Sequence, residues 1–292
     1  MPAHQIHTDE THLDLRGRGL GTLPETLWQR TDLRGLSAGE NGLAVLPAEI
    51  GRLTGLETLF LDGNPLTGLP ESIGRLRRLH TLDLGHCRLE SLPPGLWRLR
   101  RLAFLYLSDN RLEALPAGLG RLAELVYLGA TDNRLTALPE EIGHLAGLKE
   151  LRLYHNLLTG LPESLGRLGR LQELHAYDNR LAALPAALGA LKSLRRLGLR
   201  DNALTALPES VGGLAQLVEL DLRNNRLERL PEALGRLPRL AFLDLRANRL
   251  ERLPDPLGSL PGLQKLDLRW NRLDTAPAWV AGLEQRGCTV YL

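Results

Sequence analysis

The chain has 292 residues, a formal net charge of +2 at pH 7 and two cysteines. A balance so near neutrality indicates neither a polyanion-binding protein nor an acidic tail, although it can conceal local stripes of one sign. No apolar stretch reaches the roughly 18 residues of a membrane-spanning helix, and the first residues lack the apolar run of a secretory signal. These features predict a cytoplasmic protein, with export that needs no cleaved signal as the alternative.

The two cysteines, Cys87 and Cys288, support a reducing compartment. If the chain is a stack of strands about 4.8 Å apart, they lie roughly 40 Å from each other. That separation is far beyond the reach of a disulfide. Neither end of the chain carries the cysteine pair with which secreted repeat proteins often close their cores.

A period of 23 residues runs through nearly the whole chain. Ten asparagines mark it, and Cys87 fills the one gap in the series. The asparagines are Asn41, Asn64, Asn110, Asn133, Asn156, Asn179, Asn202, Asn225, Asn248 and Asn271. A fixed period of this length predicts a stacked solenoid, in which each unit buries its leucines only against its neighbours.

The first half of each unit predicts a short strand. Leucines alternate there, as in Leu151 and Leu153, so they face one side of a parallel sheet. The asparagine follows where the backbone must leave the sheet, and its amide can both donate to and accept from buried backbone groups. Cys87 can donate only weakly, so we expect it to be a tolerated imperfection rather than a reactive thiol.

The second half of each unit predicts a short helix. In residues 46–53, a proline suits the first helical turn and apolar residues recur three or four apart. A glycine soon afterwards ends the helix or allows close packing. Because helices are wider than strands, the stack must curve with its sheet on the concave side.

The repeated phrase resembles the leucine-rich repeat family of the intracellular 23-residue kind, as in Ras-pathway scaffolds and plant Ras-group-related repeat proteins. The resemblance covers about residues 13–277. It implies an α/β solenoid, a horseshoe of about 12 repeats with a parallel sheet on the concave face and short α or 3-10 helices on the convex face. It also implies a signalling partner, such as a small GTPase. Bacterial effector ligases are similar as well, but their repeats are shorter and they add a catalytic domain.

We interpret residues 1–292 as a single domain. Residues 1–30 form an N-terminal cap and irregular first repeat, residues 31–276 the regular repeats, and residues 277–292 a C-terminal cap. Arg18 occupies the first asparagine position, so that turn should be exposed and residues 1–10 disordered. The last cap should contain a helix over 278–284 and a final strand shifted by one residue from the period.

In that final strand, Val290 and Leu292 are expected to point inward and close the core.

The period also shows which side chains are free to carry function. Residues five and three before each asparagine point inward, so those six, four and two before it project from the concave face. These projecting positions hold Phe60, Phe104, Phe242, Tyr106, Tyr127, Tyr154 and Tyr177. Five of the rings fall between residues 104 and 177. Exposed aromatics on a rigid surface favour a recognition patch, while the alternative is that the sheet merely tolerates them.

The predicted binding surface combines these rings with polar neighbours. It comprises Phe60, Phe104, Tyr106, Tyr127, Arg152, Tyr154, His155, His175, Tyr177 and Arg196. A column just before the asparagines holds Asp109, Asp132, His155, Asp178 and Asp201, and the column just after holds Arg88, Arg111, Arg134 and Arg180. We expect mutual neutralisation between these columns, with orientation of a charged partner as the alternative.

The last third of the chain carries stacked charges. Asp221, Asp244 and Asp267 form one column, and Arg200, Arg223, Arg246 and Arg269 another. Self-pairing between the columns is expected, because stacked like charges repel unless the other column lies within reach. Phe242, Arg269 and Trp270 are a candidate for a second, smaller contact.

No catalytic motif, cofactor site or metal site is predicted. The glycines recur with the repeat and do not form a phosphate-binding loop, and no pair of cysteines or histidines has the spacing of zinc ligands. His155 and His175 should lie about 10 Å apart, too far to share a metal. An open trough also lacks the pocket that an enzyme needs.

The sequence therefore predicts a monomeric, non-catalytic adaptor or scaffold that binds a protein on its concave face and contacts no membrane. A structural or self-associating scaffold is the alternative. Single-stranded nucleic acid ranks lower: Arg226, Arg249 and Arg272 extend a basic row near the aromatics, but acidic residues accompany nearly every arginine.

Overall fold

A computed structural model of the protein describes residues 10–292. In that part of the chain, thirteen short strands form one parallel sheet whose spatial order is the order of the sequence. The strands are His12–Asp14 (β1), Gly35–Ser37 (β2), Thr58–Phe60 (β3), Thr81–Asp83 (β4), Phe104–Tyr106 (β5), Tyr127–Gly129 (β6), Glu150–Arg152 (β7), Glu173–His175 (β8), Arg196–Gly198 (β9), Glu219–Asp221 (β10), Phe242–Asp244 (β11), Lys265–Asp267 (β12) and Thr289–Tyr291 (β13). The predicted solenoid horseshoe is confirmed.

A 3-10 helix lies between consecutive strands from β1 to β12 and connects each turn of the solenoid to the next. Each follows a proline in extended conformation, such as Pro162 with a φ of −71°, because proline suits the start of a helix. The helices are Glu25–Gln29, Ala48–Arg52, Glu71–Arg75, Pro94–Arg98, Ala117–Arg121, Glu140–His144, Glu163–Arg167, Ala186–Ala190, Glu209–Gly213, Glu232–Arg236 and Asp255–Ser259. None of the helices in residues 10–292 has both the length and the apolar character to cross a bilayer.

The core is a continuous column of leucines. Leu128, Leu151 and Leu174 are neighbours in register on β6, β7 and β8, and all three are completely buried. The predicted inward positions are therefore confirmed. Since each strand has only three residues, contact between these aliphatic layers supplies most of the burial that holds successive turns together.

The asparagines connect each turn to the one before it. Asn156 donates its Nδ2 hydrogens to the carbonyl oxygens of Ala130 at 2.9 Å and Leu153 at 3.0 Å, and its Oδ1 accepts from the Leu135 N–H at 2.9 Å. The same spacing of partners recurs at Asn133. Each buried amide thus satisfies backbone groups of its own turn and of the preceding turn, as the sequence predicted.

Cys87 substitutes poorly for the asparagine. Its thiol donates weakly to the carbonyl oxygens of Leu61 at 3.5 Å and Gly85 at 3.6 Å. Burial raises the pKa of the thiol to about 11, so little thiolate forms near neutral pH. Both Cys87 and Cys288 are free and buried, and the burial of Cys87 agrees with the expected inert thiol.

The first turn matches its prediction in part. Arg18 is exposed, but its backbone N–H donates to Asn41 Oδ1 at 3.1 Å, and the Leu20 N–H donates to the same oxygen at 2.9 Å. The next turn thereby holds this exposed turn in place. The predicted disorder of residues 1–10 falls, for residues 1–9, outside the described residues.

The last turn corrects one prediction. A helix spans Val280–Gln285 (α1), and β13 pairs with β12 so that Val290 stands beside Leu266, 24 residues earlier. Val290 packs partly buried against the core, as expected. Leu292 is 59% exposed, so its predicted inward position is wrong. The pairing of β12 with β13 ends at Tyr291, so strand alternation no longer fixes the direction of the Leu292 side chain.

Replacement of Leu151 by alanine should lower the free energy of unfolding by about 2–5 kcal/mol, because it opens a cavity between three leucine layers. Chemical denaturation measures the change. Leu292→Ala is the matched control and should cost less than about 0.5 kcal/mol, since the side chain is already exposed. Equal losses in the two variants would contradict the assignment of the core.

Cys87→Asn should raise the free energy of unfolding by about 1 kcal/mol, because an amide supplies the Oδ1 acceptor and the stronger donors that the thiol lacks. In the other turns, the residue 21 positions earlier donates its N–H to this oxygen, and at Cys87 that residue is Leu66. The reverse change, Asn110→Cys, is the control and should lower stability. If chemical denaturation shows no change for either substitution, the buried asparagine amides contribute nothing to the free energy of unfolding.

Candidate protein-binding surface

Five aromatic side chains project from the sheet face opposite the core of the solenoid. Each is half-buried, neither free in solvent nor packed in the core. We call this set the aromatic patch: Phe104, Tyr106, Tyr127, Tyr154 and Tyr177. Phe60 also projects from the sheet, but it lies on β3, two strands away from β5.

One pair of rings lies over β5 and β6. The centroids of Tyr106 and Tyr127 are 4.8 Å apart with their planes tilted by 35°. Phe104 contacts the imidazole of His80 with centroids 5.2 Å apart. Ring pairs at such distances gain about 0.5–1.5 kcal/mol beyond the area they bury, so these side chains are ordered by their mutual contact.

The second pair lies beyond the ends of β7 and β8. Tyr154 and Tyr177 are stacked, with centroids 4.4 Å apart and an interplanar angle of 5°. The guanidinium of Arg200 lies 4.1 Å from the Tyr177 centroid and so must cover the face that Tyr154 leaves free. His155 meets both tyrosines edge-on, at 5.1 and 5.8 Å. Tyr177 is thereby held between a ring and a cation.

Two glycines make room for the aromatic patch. A Cβ on Gly129 would lie 2.7 Å from Tyr127 Oη, and one on Gly198 would lie 3.2 Å from His175 Nδ1 and 3.6 Å from Tyr177 Cδ1. Both glycines occupy strand positions whose side chains would project from the concave face. Tyr127 can therefore lie across the sheet. The sequence does contain these glycines at projecting positions, and that signal could have indicated how the rings fold over.

Arg152 lies beside the first ring pair. Its guanidinium is 5.7 Å from the Tyr127 centroid, and its Nε donates to Glu150 Oε1 at 2.5 Å. Burial raises the pKa of Tyr127 to about 12, and burial also raises the pKa values of Tyr106 and Tyr177. All three phenols are therefore neutral near pH 7 and can donate hydrogen bonds to a bound partner.

A polar network borders the patch on β7 to β9. Glu173 accepts from Arg196 at 2.7 Å and lies 3.1 Å from His175 Nε2. Burial raises the pKa of Glu173, but the hydrogen bond to His175 and the charge of Arg196 outweigh it, so the net pKa is lowered.

The same network contains the one set of three side chains within residues 10–292 that could hold a metal ion. Single ligand atoms of Glu150, Glu173 and His175 all lie within 4.8 Å of one another. The sequence pattern pointed to His155 and His175 as the pair to test for a metal, whereas these three side chains are brought together only by the register of β7 and β8. Arg152 and Arg196 already pair with both carboxylates, so the geometry fits a hydrogen-bonded network better than a cation site.

The two charged columns that flank the asparagines do not pair with each other as predicted. His86 Nδ1 lies 2.8 Å from an Asp109 carboxylate oxygen and His155 Nδ1 lies 2.7 Å from one of Asp132, so these contacts lie within one column. Across the described turns, the predicted arginine partners in the neighbouring column form no ion pair with these aspartates. The residues of this column adopt positive φ, such as 54° at Asp109. Aspartate, asparagine and histidine tolerate that conformation, which explains their recurrence there.

The predicted self-pairing in the last third is confirmed. Arg246 bonds Asp244 at 2.5 Å and reaches Asp267 at 3.4 Å, and Arg269 bonds Asp267 at 2.7 Å. Burial raises the pKa of Asp267, but its hydrogen bonds with Arg269 reverse the effect and lower the net pKa.

The predicted second contact, formed by Phe242, Arg269 and Trp270, does not form a single site, because Phe242 and Trp270 line different cavities. Phe242, 41% exposed, lines one of about 320 Å³ that also contains Asp221, Asp244 and Lys265. Trp270, 70% exposed, lines another of about 210 Å³ near the C-terminus. Arg269 lies 5.6 Å from the Trp270 ring centroid. The structure thus joins Arg269 with Trp270 but not with Phe242.

The stacked tyrosines should be coupled energetically. In a double-mutant cycle, Tyr154→Ala and Tyr177→Ala should interact by about 0.5–1.5 kcal/mol in the free energy of unfolding, because each removes the other's stacking partner. Phe60→Ala with Phe104→Ala is the control pair, and its effects should add within about 0.5 kcal/mol. Additivity at Tyr154 and Tyr177 would mean that the stack is not formed in solution.

Comparison with known proteins places the repeats in a family. The family model described as "Leucine-rich repeat region" matches residues 48–126, 116–198 and 185–285. A comparison with curated protein sequences gave no match. Leucine-rich repeat folds commonly bind proteins and generally serve as non-enzymatic scaffolds.

Solved structures give the same result. A leucine-rich repeat protein of Leptospira interrogans is 28% identical, with 97% of this chain and 96% of that chain covered and a TM-score of 0.55. The plant peptide hormone receptor RGFR1, solved with RGF2, is 32% identical over 90% of this chain, with a TM-score of 0.77. The structure of the Toll–Spatzle complex, described as a hub in Drosophila development and innate immunity, contains a chain 27% identical over 95% of this chain, with a TM-score of 0.75.

This chain spans 47% of the plant receptor chain and 37% of the chain from the Drosophila complex. The repeated leucine motif, the series of asparagines and the match over residues 48–285 show that the chain belongs to the leucine-rich repeat family.

Proposed function

We propose that this protein is a monomeric, non-catalytic adaptor or scaffold that binds another protein on its concave face, centred on the aromatic patch. The one observation that carries the proposal is the order of the patch before any partner arrives. Two ring pairs, with centroids 4.8 and 4.4 Å apart, are already in contact on the sheet. Side chains that are ordered in advance lose little conformational entropy on binding.

The chemistry of the patch suggests what its partner presents. Neutral phenols offer flat apolar faces together with hydrogen-bond donors, a combination that dominates interface hot spots. Most flanking charges already have partners, as Arg152 has Glu150 and Arg196 has Glu173. A partner with an apolar or aromatic segment and exposed carbonyl oxygens fits this surface better than a highly charged partner.

The class of partner follows by analogy alone. A cytoplasmic signalling protein, such as a small GTPase, is consistent with the resemblance to Ras-pathway scaffolds. The peptide hormone receptor RGFR1 was solved with RGF2, and this likeness supports the choice of a protein or peptide partner. A GTPase partner should bind more tightly in one nucleotide state than in the other, and equal binding of both states would argue for a different class.

A self-associating scaffold is the second candidate, and one observation favours it. At the β13 edge of the described sheet, Tyr291 is 40% and Leu292 59% exposed, and Leu292 lines a cavity together with Trp270. An exposed strand edge with apolar side chains can pair with another chain. Light scattering on the purified protein separates the two candidates, because the adaptor remains a monomer and the scaffold forms larger species that Leu292→Asp disrupts.

The double variant Tyr106→Ala with Tyr154→Ala removes one ring from each pair. It should weaken partner binding by at least about 2 kcal/mol and remain folded, because both side chains lie outside the leucine core. Partners captured by the wild-type protein are identified by mass spectrometry and then measured individually by calorimetry.

Arg167→Ala, an exposed change at the end of an outer 3-10 helix, is the control and should bind as the wild type does. Normal binding by the double tyrosine variant together with lost binding by Arg167→Ala would place the interface on the convex face.

A further inference from the structure

A second surface lies at the edge of the solenoid where the helices lead into the strands. The sequence Arg-Leu-Arg-Arg-Leu occurs twice, at residues 75–79 and 98–102, in equivalent places of consecutive turns. All four leucines of these two segments are completely buried. Because the leucines fix the orientation of the backbone, all six arginines must point outward, and all six are exposed.

Stacking of the turns gathers several of these arginines around one cavity. Its volume is about 330 Å³, and the buried ring of Trp97 contributes to its wall. The surrounding cations, which we call the arginine patch, are Arg77, Arg98, Arg100, Arg101 and Arg121. Arg100 also donates to the backbone carbonyl of Arg121 at 3.2 Å, which holds its guanidinium across the boundary between two turns.

The charges of the arginine patch are unpaired and are gathered around one cavity. Within residues 10–292, no carboxylate lies within ion-pair distance of any of its five guanidiniums, whereas Arg246 and Arg269 each have an aspartate. Acidic residues do lie nearby without pairing with these guanidiniums: Glu57 pairs with Arg34 at 3.1 Å, and Glu124 lines the adjoining cavity with Arg101. Five like charges around one small cavity repel each other, and a bound anion would relieve that repulsion.

We propose that the arginine patch binds a compact anion carrying two or more phosphoryl groups. Guanidinium groups pair with phosphate oxygens through two parallel hydrogen bonds, and a single phosphate could not engage five of them. The cavity falls within the usual range of small-molecule sites, about 300–1,000 Å³. Its concave shape suits a compact ligand rather than a flat membrane. None of the residues that line this cavity belongs to the aromatic patch, so the proposal does not rest on the function proposed for the concave face.

Isothermal titration of the full chain with tripolyphosphate tests the proposal. The wild-type protein should bind one equivalent and bind orthophosphate far more weakly. The triple variant Arg77→Gln, Arg100→Gln, Arg101→Gln should lose at least about tenfold in affinity, because it removes three of the bidentate donors. These side chains are exposed, so the variant should keep the melting temperature of the wild type.

A matched triple variant controls for net charge. Arg167, Arg170 and Arg239 occupy the repeat positions of Arg98, Arg101 and Arg78 in other turns and are exposed, and replacing all three by Gln removes the same number of charges. This control should bind tripolyphosphate within about twofold of the wild type. The concave-face variant Tyr106→Ala with Tyr154→Ala should also keep full affinity, which separates this site from the proposed protein-binding function.

Three results would overturn the proposal. The first is failure of the wild-type protein to bind tripolyphosphate, and the second is an equal loss of affinity in the control triple variant. The third is tighter binding of hexa-aspartate, a single-stranded RNA oligonucleotide or phosphatidylserine vesicles that depends on the same three arginines. That result would assign the patch to an acidic protein, a nucleic acid or a membrane surface instead.

Discussion

The buried asparagine amide that joins each turn to the previous one is the interaction on which the rest of this structure depends. Leucine burial drives the turns together, but burial has no direction and would tolerate sliding of one layer over the next. The amide removes that freedom, because its donors and acceptor reach backbone groups at fixed positions in two consecutive turns. Strands of only three residues can therefore stay in register along a sheet of thirteen. Cys87 interrupts this series once, and the neighbouring layers keep their register there.

A fixed register decides which side chains are available for function. Positions that face the core accept almost only aliphatic residues, so variation is confined to the concave face, the rims and the outer edge. On the concave face, small residues are as important as large ones. Gly129 and Gly198 leave gaps into which Tyr127, His175 and Tyr177 extend. The aromatic patch is thus a product of rings and missing side chains together, arranged over neighbouring strands.

The two surfaces differ in how their charge is balanced. Around the aromatic patch, arginines and carboxylates are paired within the surface itself, so the rings remain the distinctive feature. At the arginine patch, two consecutive turns repeat the same basic segment. No carboxylate of the described residues lies within ion-pair distance of its guanidiniums. A net charge of +2 conceals this difference completely. One solenoid can therefore present a neutral aromatic surface and a basic cavity, because each turn has both a concave strand and an outer edge.

The sequence by itself determined the fold, because a 23-residue period leaves a single way to bury the leucines. It also determined which aromatic residues project from the sheet and that the aspartates and arginines of the last third pair with each other. Only the tertiary structure decided how the rings meet, since Tyr154 and Tyr177 are 23 residues apart and their stacking depends on side-chain angles and on nearby glycines. Only the structure also explains the aspartates just before the asparagines: they are selected by a left-handed backbone conformation and not by pairing with arginines. It explains Leu292 as well: alternation predicts the direction of a side chain only while a neighbouring strand continues, and the sheet ends one residue earlier.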